Sequence, residues 1–195
     1  MPEAMSRVYI ALLHHPVYNK NGEIVTSAVT NLDIHDIARV TKTYGLGGYF
    51  IVNPDKEQRK IALDICRHWT SGFGSTYNKA RKNALSEVSV TSTLEETIEI
   101  LRKKEGVEPE LMATSALEDP QAGDRMISYR EAGELIAGKK APVIILFGTG
   151  WGLSSDTMKK AKHLLPPISA GNKYNHLSVR SAVSIITDRL FQFSK

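Results

Sequence analysis

Three stretches of the sequence hold residue types and spacings that suit chemistry. The first is Val143-Ile-Ile-Leu-Phe-Gly-Thr-Gly-Trp-Gly-Leu153, a continuous apolar run that enters glycines at alternate positions. Glycines there let backbone amides approach a ligand closely, and a tight strand-to-helix turn without a ligand is the alternative. The loop is not a P-loop, since no Gly-Lys-Ser/Thr follows, nor a dinucleotide fingerprint, whose glycines run GxGxxG. Trp151, flanked by glycines, is expected to pack over core or ligand. The second stretch, Tyr174-Asn-His-Leu-Ser-Val-Arg-Ser181, crowds polar groups at the start of an apolar helix. Asn175, His176 or Ser178 can cap that helix, and capping alone leaves Arg180 without a role. The third places Asn31, Asp33, His35, Asp36 and Arg39 on one helix before Tyr44-Gly45. Arg39 stands three residues after Asp36 and four after His35, so a surface pair with either is the plain account. His14, His15, Asp33 and His35 lack the HxH or HxxxH spacing of a metal site. Cys66 falls mid-helix near an apolar stripe and reads as core.

These stretches must be positioned by strands and helices that alternate along the chain. Strands are expected at 7–13, 48–52, 87–91, 110–116 and 142–147, with a short extended piece at 164–168. Helices are expected at 31–44, 54–70, 78–86, 93–105, 128–137 and 177–191. Thr30 or Asn31 caps the first helix and Gly45 closes it in the left-handed conformation. Ile61, Ile65 and Trp69 form the apolar stripe of the second. Thr93 to Glu96 reads as a capping box, and Ser154 or Ser155 caps a short helix after the glycine loop. Alternation of this kind gives an α/β protein with a mostly parallel sheet. Its ligand loops are then those following Leu13, Val52, Ala116, Phe147 and Ile168.

The 195 residues suit a single domain, 1–195, with no repeat or linker. One cysteine excludes an intrachain disulfide framework and a cysteine metal cluster. No apolar run approaches the length of a membrane span, and the N-terminal run is not a signal peptide, so a cytoplasmic protein is expected. The net charge of +4 permits a nucleic-acid partner without demanding one. Basic residues cluster at Arg59-Lys60, Lys79 to Lys82, Arg102 to Lys104, Lys139-Lys140 and Lys159 to Lys162, where solvated helix faces are the simpler account.

In this order the motifs resemble the SPOUT superfamily of RNA methyltransferases, the α/β-knot fold, in its SpoU-like form. Arg39-Val-Thr-Lys-Thr-Tyr-Gly45, Phe147-Gly-Thr-Gly-Trp-Gly-Leu153, Pro166-Pro-Ile168 and Asn175-His-Leu-Ser-Val179 carry the resemblance. A bacterial family of S-adenosylmethionine-dependent RNA methyltransferases is similar over nearly the whole chain, including Val8-Tyr-Ile-Ala-Leu-Leu-His14. The sequence departs from the SpoU pattern at Thr149 and Trp151, where a Glu is usual. It departs again at His176, where Asn is usual.

The resemblance implies a trefoil-knotted, mostly parallel sheet with helices on both faces. It implies S-adenosyl-L-methionine as cofactor and no metal. Backbone groups of Thr114, Ser115 and Ala116, of Phe147, Gly148, Thr149, Gly150, Trp151, Gly152 and Leu153, and of Ile168, Tyr174, Asn175, His176, Leu177 and Ser178 would hold the cofactor. Trp151 or Leu153 would wall its adenine. Arg39 and Ser178 are the implied catalytic residues, and Asn31, Arg39 and Arg180 would meet the substrate. Arg39 would clamp an RNA phosphate or assist a deprotonating 2′-hydroxyl. A homodimer acting on RNA, with tRNA favoured, is expected. In that dimer the apolar face of the last helix, Val179 to Leu190, would lie at the interface. An RNA-binding or regulatory protein that keeps the fold without catalysis is the alternative, and a nucleotide-binding α/β protein of another type is a third.

Overall fold

A computed structural model of the protein describes residues 3–194 except 121, 139, 140 and 173, so the Lys139-Lys140 cluster lies outside the described residues. Six strands form one parallel sheet: β1 (Val8–Leu13), β4 (Gly48–Val52), β5 (Val88–Thr91), β6 (Glu110–Thr114), β7 (Val143–Gly148) and β8 (His163–Leu165), in the order β5-β4-β1-β7-β6-β8. A parallel sheet hides both faces under its crossover helices, which is why β1 and β7 read as unbroken apolar runs. Val8, Ile10 and Leu12 enter one core and Tyr9, Ala11 and Leu13 the other, as the two-residue pleat requires.

The first core is covered by α1 (Asn31–Tyr44), α2 (Lys56–Thr70), α4 (Lys79–Leu85), α6 (Tyr129–Gly138) and α8 (Val179–Phe193). The second lies under α5 (Leu94–Glu105) and α7 (Ser155–Lys160). A short helix, α3 (Gly74–Tyr77), joins α2 to α4. No helix among the described residues is long and apolar enough to cross a membrane.

The helix ends follow local rules. Thr30 Oγ1 accepts from the Asp33 amide, and Gly45 closes α1 at φ 64°. Thr93 caps α5 and Ser154 caps α7. Thr93 Oγ1 accepts from the Glu96 amide, and the Glu96 carboxylate accepts from the amide and hydroxyl of Ser92 and from the Thr93 amide.

Two expectations are corrected. The stripe of α2 is not Ile61, Ile65 and Trp69: Ile61 is 45% exposed, and Ala62, Ile65, Cys66 and Trp69 face the core. Two steps of four residues advance roughly 80° around a helix, enough to carry Ile61 off a face that Trp69 occupies. The loop after β1 carries β2 (Val17–Tyr18) and β3 (Ile24–Val25), paired as a hairpin around the Asn19 to Gly22 turn. Its strands are too short for a periodicity to show. Finally, the apolar face of α8 does not await a partner. Val183, Ile186 and Leu190 are buried within the chain, in the core shared with α1 and α6.

Candidate active site

Strands β6 and β7 are parallel neighbours, so the loops after Thr114 and Gly148 leave the sheet at the same end. Thr114 Oγ1 donates to the Leu146 carbonyl at 2.9 Å and ties the two strands where they finish. A third segment crosses there after β8. The Tyr129 hydroxyl donates to the Pro166 carbonyl at 2.7 Å, and Asn175 Nδ2 donates to the Ala116 carbonyl at 2.5 Å. Thus three segments far apart in sequence meet at one end of the sheet: 114–117, 148–153 and 166–178. Leu117, Trp151, Tyr174 and Leu177 on these segments are exposed. Trp151, 64% exposed, does not pack into the core, which leaves the ligand as the partner expected for its ring. Phe147 is buried in the core, so only its backbone is placed to meet a ligand.

The glycine loop has a structural account of its own. The Thr149 amide donates to the Leu13 carbonyl, the Trp151 amide to Tyr18 O, and the Ser154 amide to Pro16 O, at 3.2, 2.9 and 3.2 Å. The Tyr18 amide returns a bond to Gly152 O at 2.9 Å. The loop is therefore stitched to the chain after β1 like an added strand, and several of its amides are already committed. Gly150 has φ 60°, and a Cβ on it would stand 2.8 Å from Tyr18 O. A Cβ on Gly148 would stand 2.6 Å from the Leu153 nitrogen. These glycines let the loop fold closely on itself and on the hairpin, the turn-forming role that competes with close approach to a ligand. Gly152 differs: at φ 103° it faces open space.

The residues fit an adenosine-bearing cofactor. Segments 147–153 and 174–178 hold no carboxylate and no Lys or Arg, which suits a neutral adenine edge. Their exposed apolar side chains suit its faces. Ser178 is engaged as the cap of α8, accepting from the Ser181 amide at 3.3 Å, while Asn175 and His176 leave capping to it. Tyr174 and His176 pack edge to face.

The start of α8 meets α1. Arg180 lies 3.7 Å from an Asp33 oxygen and 3.3 Å from an Asp36 oxygen. Asp36 is thereby taken by the neighbouring helix rather than by Arg39 on its own, and among the described residues Arg39 makes no hydrogen bond or ion pair. Arg39 is exposed and lines a cavity of about 350 Å³ with Asp36, Thr43, Tyr44, Arg180 and Ser181. It also lines a second cavity of about 130 Å³ with Asn78, Ala80 and Arg81. Asn31, the remaining substrate candidate, begins α1 and is exposed.

A buried polar cluster below the loops escaped sequence reasoning. His14 is fully buried, with Nδ1 3.0 Å from Ser27 Oγ, which lies 2.5 Å from Thr149 Oγ1. Asn53 is buried beside it, donating from Nδ2 to Ser27 O at 3.1 Å. Their one sequence signal is position, directly after β1 and β4. Burial holds the His14 imidazole at about 4 rather than 6.5, with the Asp33 carboxylate opposing that shift. His14 is therefore neutral in the folded state, although a backbone hydrogen bond with Ala28 also opposes the shift. Because the unfolded chain takes up this proton first, stability falls as pH drops from 6.5 toward 4, by up to about 3 kcal/mol. Thermal melts at about pH 7.5 and about pH 5 should show a smaller acid loss in His14→Gln than in wild type; equal losses would remove His14 as the cause. Cys66, half-buried, has its thiol pushed up to about 11 by burial and is inert at neutral pH. No cluster of potential metal ligands is present among the described residues.

A parallel α/β sheet with three segments converging beyond the ends of adjacent strands defines a ligand-binding protein of the doubly wound class. The sequence profile of the SAM-dependent RNA methyltransferase family matches residues 7–192, and the chain belongs to that family. A tRNA (guanine-N(1)-)-methyltransferase of Oleidesulfovibrio alaskensis is 43% identical over 183 residues, covering 94% of this chain and 41% of that protein. The chain thus spans about two-fifths of that relative's length. A protein of Aquifex aeolicus is 38% identical over 94% of this chain and 88% of its own length. Among solved structures, the SpoU methyltransferase AviRb from Streptomyces viridochromogenes superposes with a TM-score of 0.60 at 15% identity, covering 97% of this chain and 60% of that one. That likeness is one of fold.

Proposed function

We propose that the protein transfers a methyl group from S-adenosyl-L-methionine to RNA, with tRNA as substrate, and that it works in the cytoplasm as a homodimer. The observation that carries this reading is the meeting of segments 114–117, 148–153 and 166–178, with Asn175 held on Ala116. When bound there, the cofactor supplies a methyl carbon on a positively charged sulfur, which needs an acceptor in line and no metal. Thr114 to Ala116, Gly148 to Leu153, Ile168 and Tyr174 to Ser178 would hold it, their backbone reading the adenine edge. The passage of 166–178 across the loop after β6 supports a trefoil knot. Arg39 and Arg180 would hold the substrate backbone, Arg39 with its guanidinium uncommitted and Arg180 oriented by two carboxylates. The tRNA reading draws on the names of relatives. Guanine-N1 methylation is said of proteins more than twice as long as the aligned region, so the acceptor atom is left to experiment.

Calorimetry in EDTA should show S-adenosylhomocysteine binding at micromolar affinity, about −8 kcal/mol. No heat and no thermal shift at millimolar ligand would sink the assignment. Methyl incorporation into tRNA tests the activity, and cofactor binding without incorporation would favour the non-catalytic alternative. Light scattering tests the dimer, whose support is Leu32 and Leu177, both exposed where α1 meets the start of α8. Twice the chain mass at micromolar concentration is expected; a strictly monomeric particle that still binds cofactor would contradict it.

A further inference from the structure

We propose that the turn carrying Phe73 and Tyr77 is a stacking platform for an unpaired base of the RNA, set at the far end of an arginine track that leads from the Arg180 cavity. This rests on the reading that the substrate is RNA. Phe73 and Tyr77 are each 77% exposed and stack on each other, with centroids 6.3 Å apart and planes within 19°. Rings of this size are ordinarily drawn into the core, so two in water, parallel and adjacent, need an account.

Their positions are rigidly supported. A Cβ on Gly74 would stand 2.5 Å from the Trp69 ring, and one on Gly72 would stand 2.8 Å from His68 O. The turn is thus pressed onto the end of α2, and its side chains point away from it. Trp69 is itself held, with His35 against its edge and the Arg81 guanidinium 4.3 Å over its face.

Charge selects the partner. Residues 71–86 contain Lys79, Arg81 and Lys82 and no Asp or Glu. Lys79 and Lys82 are exposed. Asn78, the residue after Tyr77, lines the smaller cavity with Arg81 and Arg39, and Arg39 also lines the cavity that holds Arg180. Cations therefore run from the ring pair through Arg81 to Arg39, and end at the junction of α1 and α8, where Asp33 and Asp36 pair Arg180. Around the rings lie Ser71, Ser75, Thr76 and Asn78, so the apolar area is two rings within a polar, basic border. That is too small for a stable protein interface, which buries roughly 800 Å² on each side. It matches the aromatic-plus-cation pattern that binds single strands, where a base offers a π-face and the phosphates follow the cations. A base paired within a helix has no free face to give.

The test uses the full chain, a mixed-sequence RNA of roughly twelve nucleotides containing 2-aminopurine, and a fully paired duplex of the same length. Wild type should bind the single strand and quench its fluorescence. Phe73→Leu with Tyr77→Leu keeps the turn apolar and removes both rings. It should weaken single-strand binding roughly tenfold and abolish the quench, with S-adenosylhomocysteine affinity and melting temperature unchanged. Lys79→Gln with Lys82→Gln should weaken binding and flatten its salt dependence while leaving the quench at saturation. Undiminished affinity and quench in the double-leucine variant would overturn the proposal, as would equal loss on the duplex. Dissociation of a dimer in that variant would show the rings to be a protein contact and overturn it too. Failure of wild type to bind any RNA while still binding cofactor would overturn both the platform and the RNA reading, whereas loss confined to the platform leaves that reading standing.

Discussion

Arg39→Ala should lower methyl transfer to tRNA by at least about 10²-fold, roughly 3 kcal/mol of transition-state stabilisation, while S-adenosylmethionine affinity stays within about twofold of wild type. The structure sharpens this expectation. The usual objection to such a variant is that it breaks a surface ion pair, but Asp36 is held by Arg180 at 3.3 Å and leaves Arg39 uncommitted. The stability cost of removing it should therefore be under about 0.5 kcal/mol. A guanidinium left exposed in the shared wall of two cavities is placed to meet a phosphate or a reacting hydroxyl. Arg39→Lys should restore only part of the activity, because an ammonium lacks the two-pronged geometry. Wild-type turnover in Arg39→Ala would remove this residue from the site and leave α1 as scaffold. A matched loss of stability and activity would mean that the helix, not the contact, was damaged.

Gly150→Val should destabilise the protein by about 3 kcal/mol and weaken cofactor binding more than tenfold. Read from the sequence, the weakening would come from crowding a ligand. The structure supplies a nearer cause, because the new Cβ would stand 2.8 Å from the Tyr18 carbonyl at a φ of 60° that a β-branched residue resists. To relieve the clash the loop must give up the Trp151 and Gly152 bonds to Tyr18. Urea unfolding should show a lower midpoint at unchanged slope, and calorimetry should show the affinity falling with it. Unchanged stability with lost affinity would instead return Gly150 to the role of ligand cradle.

Much of the architecture was legible because its signals are local. The bounds of α1 follow from Thr30, Asp33 and Gly45, each acting within a turn of its own helix. Strands β1 and β7 follow from apolar runs too short for helices and apolar on both faces. Alternation of such segments is enough to require crossovers and a parallel sheet. The motif order, Arg39 to Gly45, Phe147 to Leu153, then Asn175 to Val179, was likewise a property of the chain alone, and it sufficed to indicate the family.

What the sequence could not decide were pairings between segments distant along it. Spacing of three and four residues offered Arg39 a partner in Asp36 or His35, and tertiary packing gave Asp36 to Arg180 from α8. An apolar stripe on α8 looks the same whether a second copy or α1 and α6 cover it, since periodicity records that a face is buried and not by what. Glycines at 148, 150 and 152 announce close approach without naming what approaches. Here Tyr18 lies against one and the loop's own backbone against another, because a hairpin too short to leave a pattern folds over the end of β7. The cluster of His14, Ser27, Asn53 and Thr149 is assembled from four segments, and its one local signal is that His14 and Asn53 directly follow strands. Local sequence determines which elements form and where they stop; which groups face one another across the end of a sheet is set by long-range packing, and the chemistry of this site lies in those facing groups.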